Sequence, residues 1–191
     1  VAPGDTMLFE RGNSWNEELV AGSEGTAVQP ITYASYGSGT EPIMRRLSID
    51  GSNTTIENLI VDHQQLASDA VQVRAPNCTL RGMIVRNGAG DGIDVGDADG
   101  LLIDALLIHH FLAGSFTNQQ DAHGIVATDI QGLTIRNTEI HHVSGDSFQA
   151  DPSRSPNVPM DILIEDSHFW TGPLAADFND WNAGEVPGEN A

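Results

Sequence analysis

A short block recurs along the chain, and that recurrence restricts the fold more than any other feature of the sequence. TIENLIVDH (55–63), TLRGMIVRN (79–87), LIDALLIHH (102–110), TIRNTEIHH (134–142) and LIEDSHFWT (163–171) align without gaps. Their second residues, Ile56, Leu80, Ile103, Ile135 and Ile164, lie 24, 23, 32 and 29 positions apart. A second element follows the first four blocks: SDAVQV (68–73), GDGIDV (90–95), AHGIVA (122–127) and GDSFQA (145–150). Both elements alternate apolar and polar residues, the period of a strand with one face buried. A unit this short cannot enclose a core alone, so each must stack on the next. Ile, Val and Thr in the strands, with Gly/Asp turns recurring between them, argue against helical repeats. The expectation is an all-β solenoid of about five coils with three short strands per coil.

Parity assigns the faces. Val71/Val73, Ile93/Val95, Ile125/Ala127 and Phe148/Ala150 point inward, as do the five aligned residues of the preceding strand. One outward column runs Ser48, Gln72, Asp94, Val126, Gln149, and the next runs Asp50, Arg74, Gly96, Thr128, Asp151. A third, where the strands begin, runs Asp69, Asp91, His123, Asp146 and extends to Glu189. The bend before the second strand carries Asn58, Gly82, Ala105, Asn137 and Asp166, where a buried Asn would satisfy backbone groups left unpaired by the bend. Adjacent coils lie about 4.8 Å apart, so neighbours in a column can share a proton, a cation or a sugar.

Such a stack resembles the right-handed parallel β-helix class typified by pectate lyases, and the resemblance covers nearly the whole chain. GDTMLFERG (4–12) and QPITYASYGSGTEPI (29–43) resemble the lead-in of secreted β-helix proteins. Residues 1–46 are therefore expected to form an N-terminal capping segment, and 47–191 the β-helix coils. GENA (188–191) aligns with GDGI (90–93), which leaves a coil part-built. That predicts that the stack continues in the natural protein or an associated chain, with self-association through the open edge.

The chain has 27 acidic residues against 8 basic ones, all of them Arg, for a net charge of −19. Phosphate binding needs clustered cations, so nucleic acid is excluded as an expected partner. No apolar run approaches the ~20 residues of a membrane-spanning helix, so membrane insertion is not expected. Cys78 is the lone cysteine, lies in an alternating apolar run and reads as a buried small hydrophobe. The expected location is extracellular or periplasmic, where counterions such as Ca2+ offset the self-repulsion.

Unequal turns place the candidate site. FLAGSFTNQQD (111–121) and DPSRSPNVPM (151–160) are long and flank the same strand column from opposite sides on adjacent coils. Loops on a rigid scaffold are where binding residues concentrate. Within that groove, His123 between Asp91 and Asp146 is a candidate acid/base centre, because carboxylates favour the imidazolium. Asp94 points outward and is the candidate partner carboxylate. Gln149, Asp151, Arg154, Arg74 and Gln72 are candidate substrate-binding residues, Arg154 for a sugar carboxylate. Asp97-Ala98-Asp99-Gly100 lacks the spacing of an EF-hand, so calcium is expected, if anywhere, on groove carboxylates. His109/His110 and His141/His142 match on adjacent coils, with His63 in the column of His110 and His142. Stacked imidazoles can bind a transition metal, but with no Cys and no third convergent ligand they read as a turn ladder. Ile60, Ile84 and Leu107 form an outward apolar stripe, expected to lie under the N-terminal segment.

GDGIDV resembles a motif of polygalacturonases and AHGIVA their Gly-His-Gly motif, but the order fails, Gln149 stands where a second carboxylate would help, and Lys is absent. VSGDSFQADP (143–152) resembles a mannuronan-epimerase strand that ends in Asp-Pro-His-Glu, and departs from it. The resemblance implies a polysaccharide partner and cleavage or epimerisation of a uronate polymer. In a lyase, a base removes the proton alpha to a uronate carboxylate. In an inverting hydrolase, two carboxylates stand ~6.5–9.5 Å apart across the bond. A rival expectation is a non-catalytic structural or adhesive solenoid, such as a filament, surface or tail subunit.

Overall fold

The structure, a computed structural model, describes residues 1–151 and 160–170. Each strand of the coils pairs in parallel with the equivalent strand of the neighbouring coil. The first face contains seven strands, from Thr6–Glu10 and Ile31–Tyr36 through Thr54–Glu57, Thr79–Arg81, Leu102–Asp104 and Leu133–Arg136 to Ile162–Glu165. The second face stacks Ile60–Asp62, Ile84–Gly88, Leu107–Phe111, Glu139–Val143 and His168–Trp170. The third stacks Val71–Val73, Ile93–Gly96, Ile125–Thr128 and Phe148–Asp151. Strand Ile43–Ile49 joins the last two, pairing with Ile60 and Val61 at its start and with Val71–Val73 at its end. The result is an all-β parallel solenoid of about 6 turns.

The register follows the sequence repeat. Ile56, Leu80, Ile103, Ile135 and Ile164 stand one above another on the first face. The first four are fully buried, as are Val71, Val73, Ile93, Val95, Ile125 and Ala127. Phe148 is half-buried, and Ala150 and Ile164 are exposed in the last described coil. Cys78 is buried with its thiol near the Gly51 carbonyl, and burial pushes its pKa up.

Parallel pairing begins at Thr6, so residues of the expected capping segment are themselves strands of the stack. Strand Ser14–Ala21 pairs with Ile43–Ile49, placing Ser14 opposite Ile43 and hence at the end of the Ile60–Ile84–Leu107 column. The N-terminal strands therefore extend the apolar stripe's sheet rather than lie across it. Ile60 is buried and Ile84 and Leu107 are half-buried. Of the two long turns, 111–121 carries a hairpin, Ala113–Ser115 against Asn118–Gln120. Residues 152–159 and the GENA end fall outside the described residues, as does Glu189.

The bend column has a different cause from the one expected. Asn58, Gly82, Ala105, Asn137 and Asp166 all have positive φ, from 47° to 59°. Backbone satisfaction does not require Asn: the N–H groups of Asn58, Gly82 and Ala105 each donate to the next coil's carbonyl, at Arg81, Asp104 and Arg136. Asn137 is exposed. What selects Asn, Gly and Asp is the left-handed conformation, which they tolerate best. The third face shows the same device where its strands end: Asp97 and Asp129 have positive φ, and the chain turns there. Gly96 and Thr128, expected outward, are buried at that turn.

Ala105 is the one bend residue with neither glycine's freedom nor a short polar side chain, at φ 59°. Ala105→Gly should stabilise the fold by about 1 kcal/mol, raising Tm by about 2–4 °C. Thermal denaturation followed by circular dichroism checks this, and a lowered Tm would refute the conformational explanation.

Candidate functional site

The expected groove residues lie on the third face, beside the 111–121 hairpin. Ser144, buried on the next coil, pins the hairpin's base: its Oγ accepts from Ala113 N–H at 3.0 Å and donates to the Gln120 carbonyl at 2.7 Å. Asp91 and His123 sit two positions before the paired Ile93 and Ile125, which sets them side by side on adjacent coils. Asp91 Oδ1 accepts from the His123 backbone N–H at 2.7 Å and faces ring Nδ1 at 3.0 Å. With Nδ1–H donating to the carboxylate, Nε2 keeps its lone pair. The ring packs over Gly145, where an added Cβ would come within 3.1 Å of Nε2 and 3.0 Å of Cδ2. A residue larger than glycine would push the imidazole out of place.

Asp146 is not drawn into this pair. It is exposed, and its backbone carbonyl, not its carboxylate, accepts from Gly124. Asp94 lies three residues beyond Asp91, about 10 Å along the strand direction. It forms an ion pair with Arg74, whose Nη1 also donates to the Asp94 carbonyl at 2.9 Å and to the Val73 carbonyl at 3.1 Å. His123 and Asp94 thus belong to two separate clusters. Gln72 donates to Asp69 at 3.0 Å, and the other oxygen of Asp69 accepts from Asp91 N–H at 3.4 Å. Gln149 stands opposite Val126 and Asp151 opposite Thr128, both half-buried. Arg154 falls outside the described residues. Ser144 and Gly145 went unnoticed in the sequence reading: a serine and a glycine before a strand look like any turn.

Calcium would need several convergent oxygens. Among the described residues no three His, Cys, Asp or Glu side chains converge as a metal requires. Asp94 is engaged by Arg74, Asp91 by His123 and Asp69 by Gln72. These carboxylates, so arranged, do not fit a calcium cage.

On the second face the paired histidines stack. His109 lies over His141 with ring centroids 5.2 Å apart and His110 over His142 at 5.0 Å. Trp170 continues the first stack, 4.8 Å from His141. Within each coil the two Nδ1 atoms face each other, so one ring donates and the other accepts. His63 stands apart from the stack: its Nδ1 faces the Arg45 carbonyl at 2.9 Å, and its Nε2 faces the carbonyl and hydroxyl of Ser68 at 2.8 and 3.0 Å. Burial first, and then neighbouring imidazoles, lowers the pKa of His109 to about 2 and of His110 to about 3. Burial also lowers that of His141.

No protein-family model matches the sequence, and no curated protein matches it. Solved structures do. A pectate lyase, Pel9A, superposes with a TM-score of 0.73 at 15% identity, covering 94% of this chain and 48% of that one. An alginate lyase from a Paenibacillus species superposes with a TM-score of 0.50 at 18% identity, covering 89% of this chain and 69% of that one. The chain thus spans about half the length of the pectate lyase. At these identities the likeness is one of fold: a pectate lyase-like parallel β-helix.

His109, His110 and His141 make stability depend on pH. They are neutral in the fold, whereas an unfolded histidine takes up a proton near pH 6.5. Their contribution is complete above pH 6.5 and declines as pH falls toward the lowered folded values. Between pH 6.5 and 5 the loss is on the order of 2 kcal/mol for each deeply buried imidazole. Urea denaturation at pH 7 and pH 5 should show it, and His109→Asn should reduce the difference by about 2 kcal/mol, one imidazole's share. An unchanged slope in that variant would place the titrating groups elsewhere.

Proposed function

We infer that the chain is a carbohydrate-active β-helix acting outside the cell, and that its third face binds an acidic polysaccharide. The observation that carries this reading is the Asp91–His123 pair beside the hairpin wall, which leaves one imidazole nitrogen basic. The polysaccharide lyases among the structural neighbours support it at the level of fold.

The reaction the pair suits is β-elimination. His123 Nε2 takes the proton alpha to the uronate carboxylate, and the released electron pair forms the carbon–carbon double bond. The glycosidic C–O bond to the neighbouring ring carbon breaks, and the imidazolium returns its proton to the departing oxygen. Asp91 fixes the tautomer and favours the imidazolium that forms in between. Asp94, expected as partner carboxylate, is assigned instead to Arg74.

A non-catalytic stacking protein is the second reading. It is favoured by the arginines, six of the seven described being tied to carboxylates of the stack.

The deciding measurement is ultraviolet detection of unsaturated product from polygalacturonate and alginate with the full chain, with and without added calcium. Wild type should turn one of them over, and His123→Ala should lower kcat by about 100-fold or more. Asp91→Asn should lower kcat less, because it keeps the imidazole and removes only the carboxylate that orients it. Turnover that survives both changes would remove the site assignment and leave the class. No turnover, together with end-to-end assembly in sedimentation, would favour the stacking protein.

A further inference from the structure

The Arg74–Asp94 pair departs from the arginine pairs that lie within the ladders. Glu18–Arg46, Glu57–Arg81, Asp104–Arg136 and Asp62–Arg86 join residues directly opposite each other in the ladder. Asp94, by contrast, stands opposite Gln72, two positions before Arg74. Arg74 therefore reaches its carboxylate diagonally. Straight ahead on the next coil is Gly96, which offers no side chain. Both partners remain accessible, with side chains 29% and 23% exposed.

The charge around the pair matters as much as its geometry. The described carboxylates of the third face include Asp50, Asp69, Asp91 and Asp146, which together repel an anionic chain. Arg74 stands just past the end of strand Val71–Val73 on this face, and Asp94 neutralises it. Only Nη2 of Arg74 meets the Asp94 carboxylate, since Nη1 donates to the Val73 and Asp94 carbonyls, and a uronate carboxylate can take that single place as well as an aspartate can. A part-exposed ion pair is also weakly held, since water screens it.

We propose that Asp94 occupies the place on Arg74 that a sugar carboxylate takes on binding, so that the pair is a displaceable latch and Arg74 the specificity-determining residue for acidic glycans. This rests on the reading of the third face as an acidic-polysaccharide groove. Displacement exchanges one carboxylate for another on Arg74, and the freed Asp94 side chain, 23% exposed, turns to water. A neutral glycan has nothing to offer in exchange and leaves the latch shut.

The test is calorimetric titration of trigalacturonate and of a neutral galactan oligosaccharide into the full chain and its variants. Asp94→Asn should tighten trigalacturonate by about 3- to 10-fold, the scale of a freed, part-exposed guanidinium. Asp146→Asn removes the same charge from the same face without touching Arg74, and should change binding by less than about 2-fold. Adding Arg74→Ala to Asp94→Asn should abolish the gain, and the neutral sugar should not respond to any change. Equal gains from Asp94→Asn and Asp146→Asn would reduce the effect to net charge and overturn the latch. Wild-type binding with no gain in Asp94→Asn would overturn the latch alone. No binding by any variant would overturn the groove reading and the latch with it.

Discussion

Everything in this molecule depends on in-register parallel hydrogen bonding between successive coils. Because each residue sits about 4.8 Å from its counterpart in the next coil, side chains accumulate in columns, and a column of like charges would repel itself. The first face avoids this by alternation: Glu57, Arg81, Asp104, Arg136 and Glu165 stand in successive register. Asp104 is the centre of that ladder, accepting from Arg136 and from Asn137 at 2.9 Å each and facing Arg81 at 3.6 Å. The Arg136 hydrogen bond, and then that of Asn137, holds its pKa below the usual carboxylate value. A planar, always-charged guanidinium suits such rungs better than a flexible ammonium, which gives the all-Arg composition a physical sense.

The same stacking places the chemistry. Asp91 and His123 are 32 residues apart in sequence and meet only because one coil is laid on the next. Gly145, one coil further, leaves room for the ring, and Ser144 beside it holds the base of the 111–121 hairpin. Scaffold and candidate site are thus built from one pattern of spacing, with local departures from the repeat where a turn lengthens or a side chain is missing.

Those departures are where sequence reading lost ground. The column Asp69–Asp91–His123–Asp146 was legible, and so was the outward parity of Asp94. Parity says which side of a strand a residue occupies and is silent on which neighbour it bonds. Asp94 therefore looked available beside His123, whereas Arg74 reaches across a column to take it. Asp146 looked equivalent to Asp91, yet only Asp91 reaches the imidazole. The bend residues were aligned correctly and explained wrongly, since a positive φ is invisible in an alignment where Asn, Gly and Ala alternate.

The sequence by itself determined the coil length, the three-strand unit, the inward residues and the stacking order, because apolar alternation and turn spacing are local and repeat. Tertiary structure alone decided the pairings: His123 with Asp91 rather than Asp146, Asp94 with Arg74, and the Nδ1 contact within each histidine pair. Those depend on which of several chemically similar side chains lies within about 3 Å, a distance the repeat brings into range but does not assign.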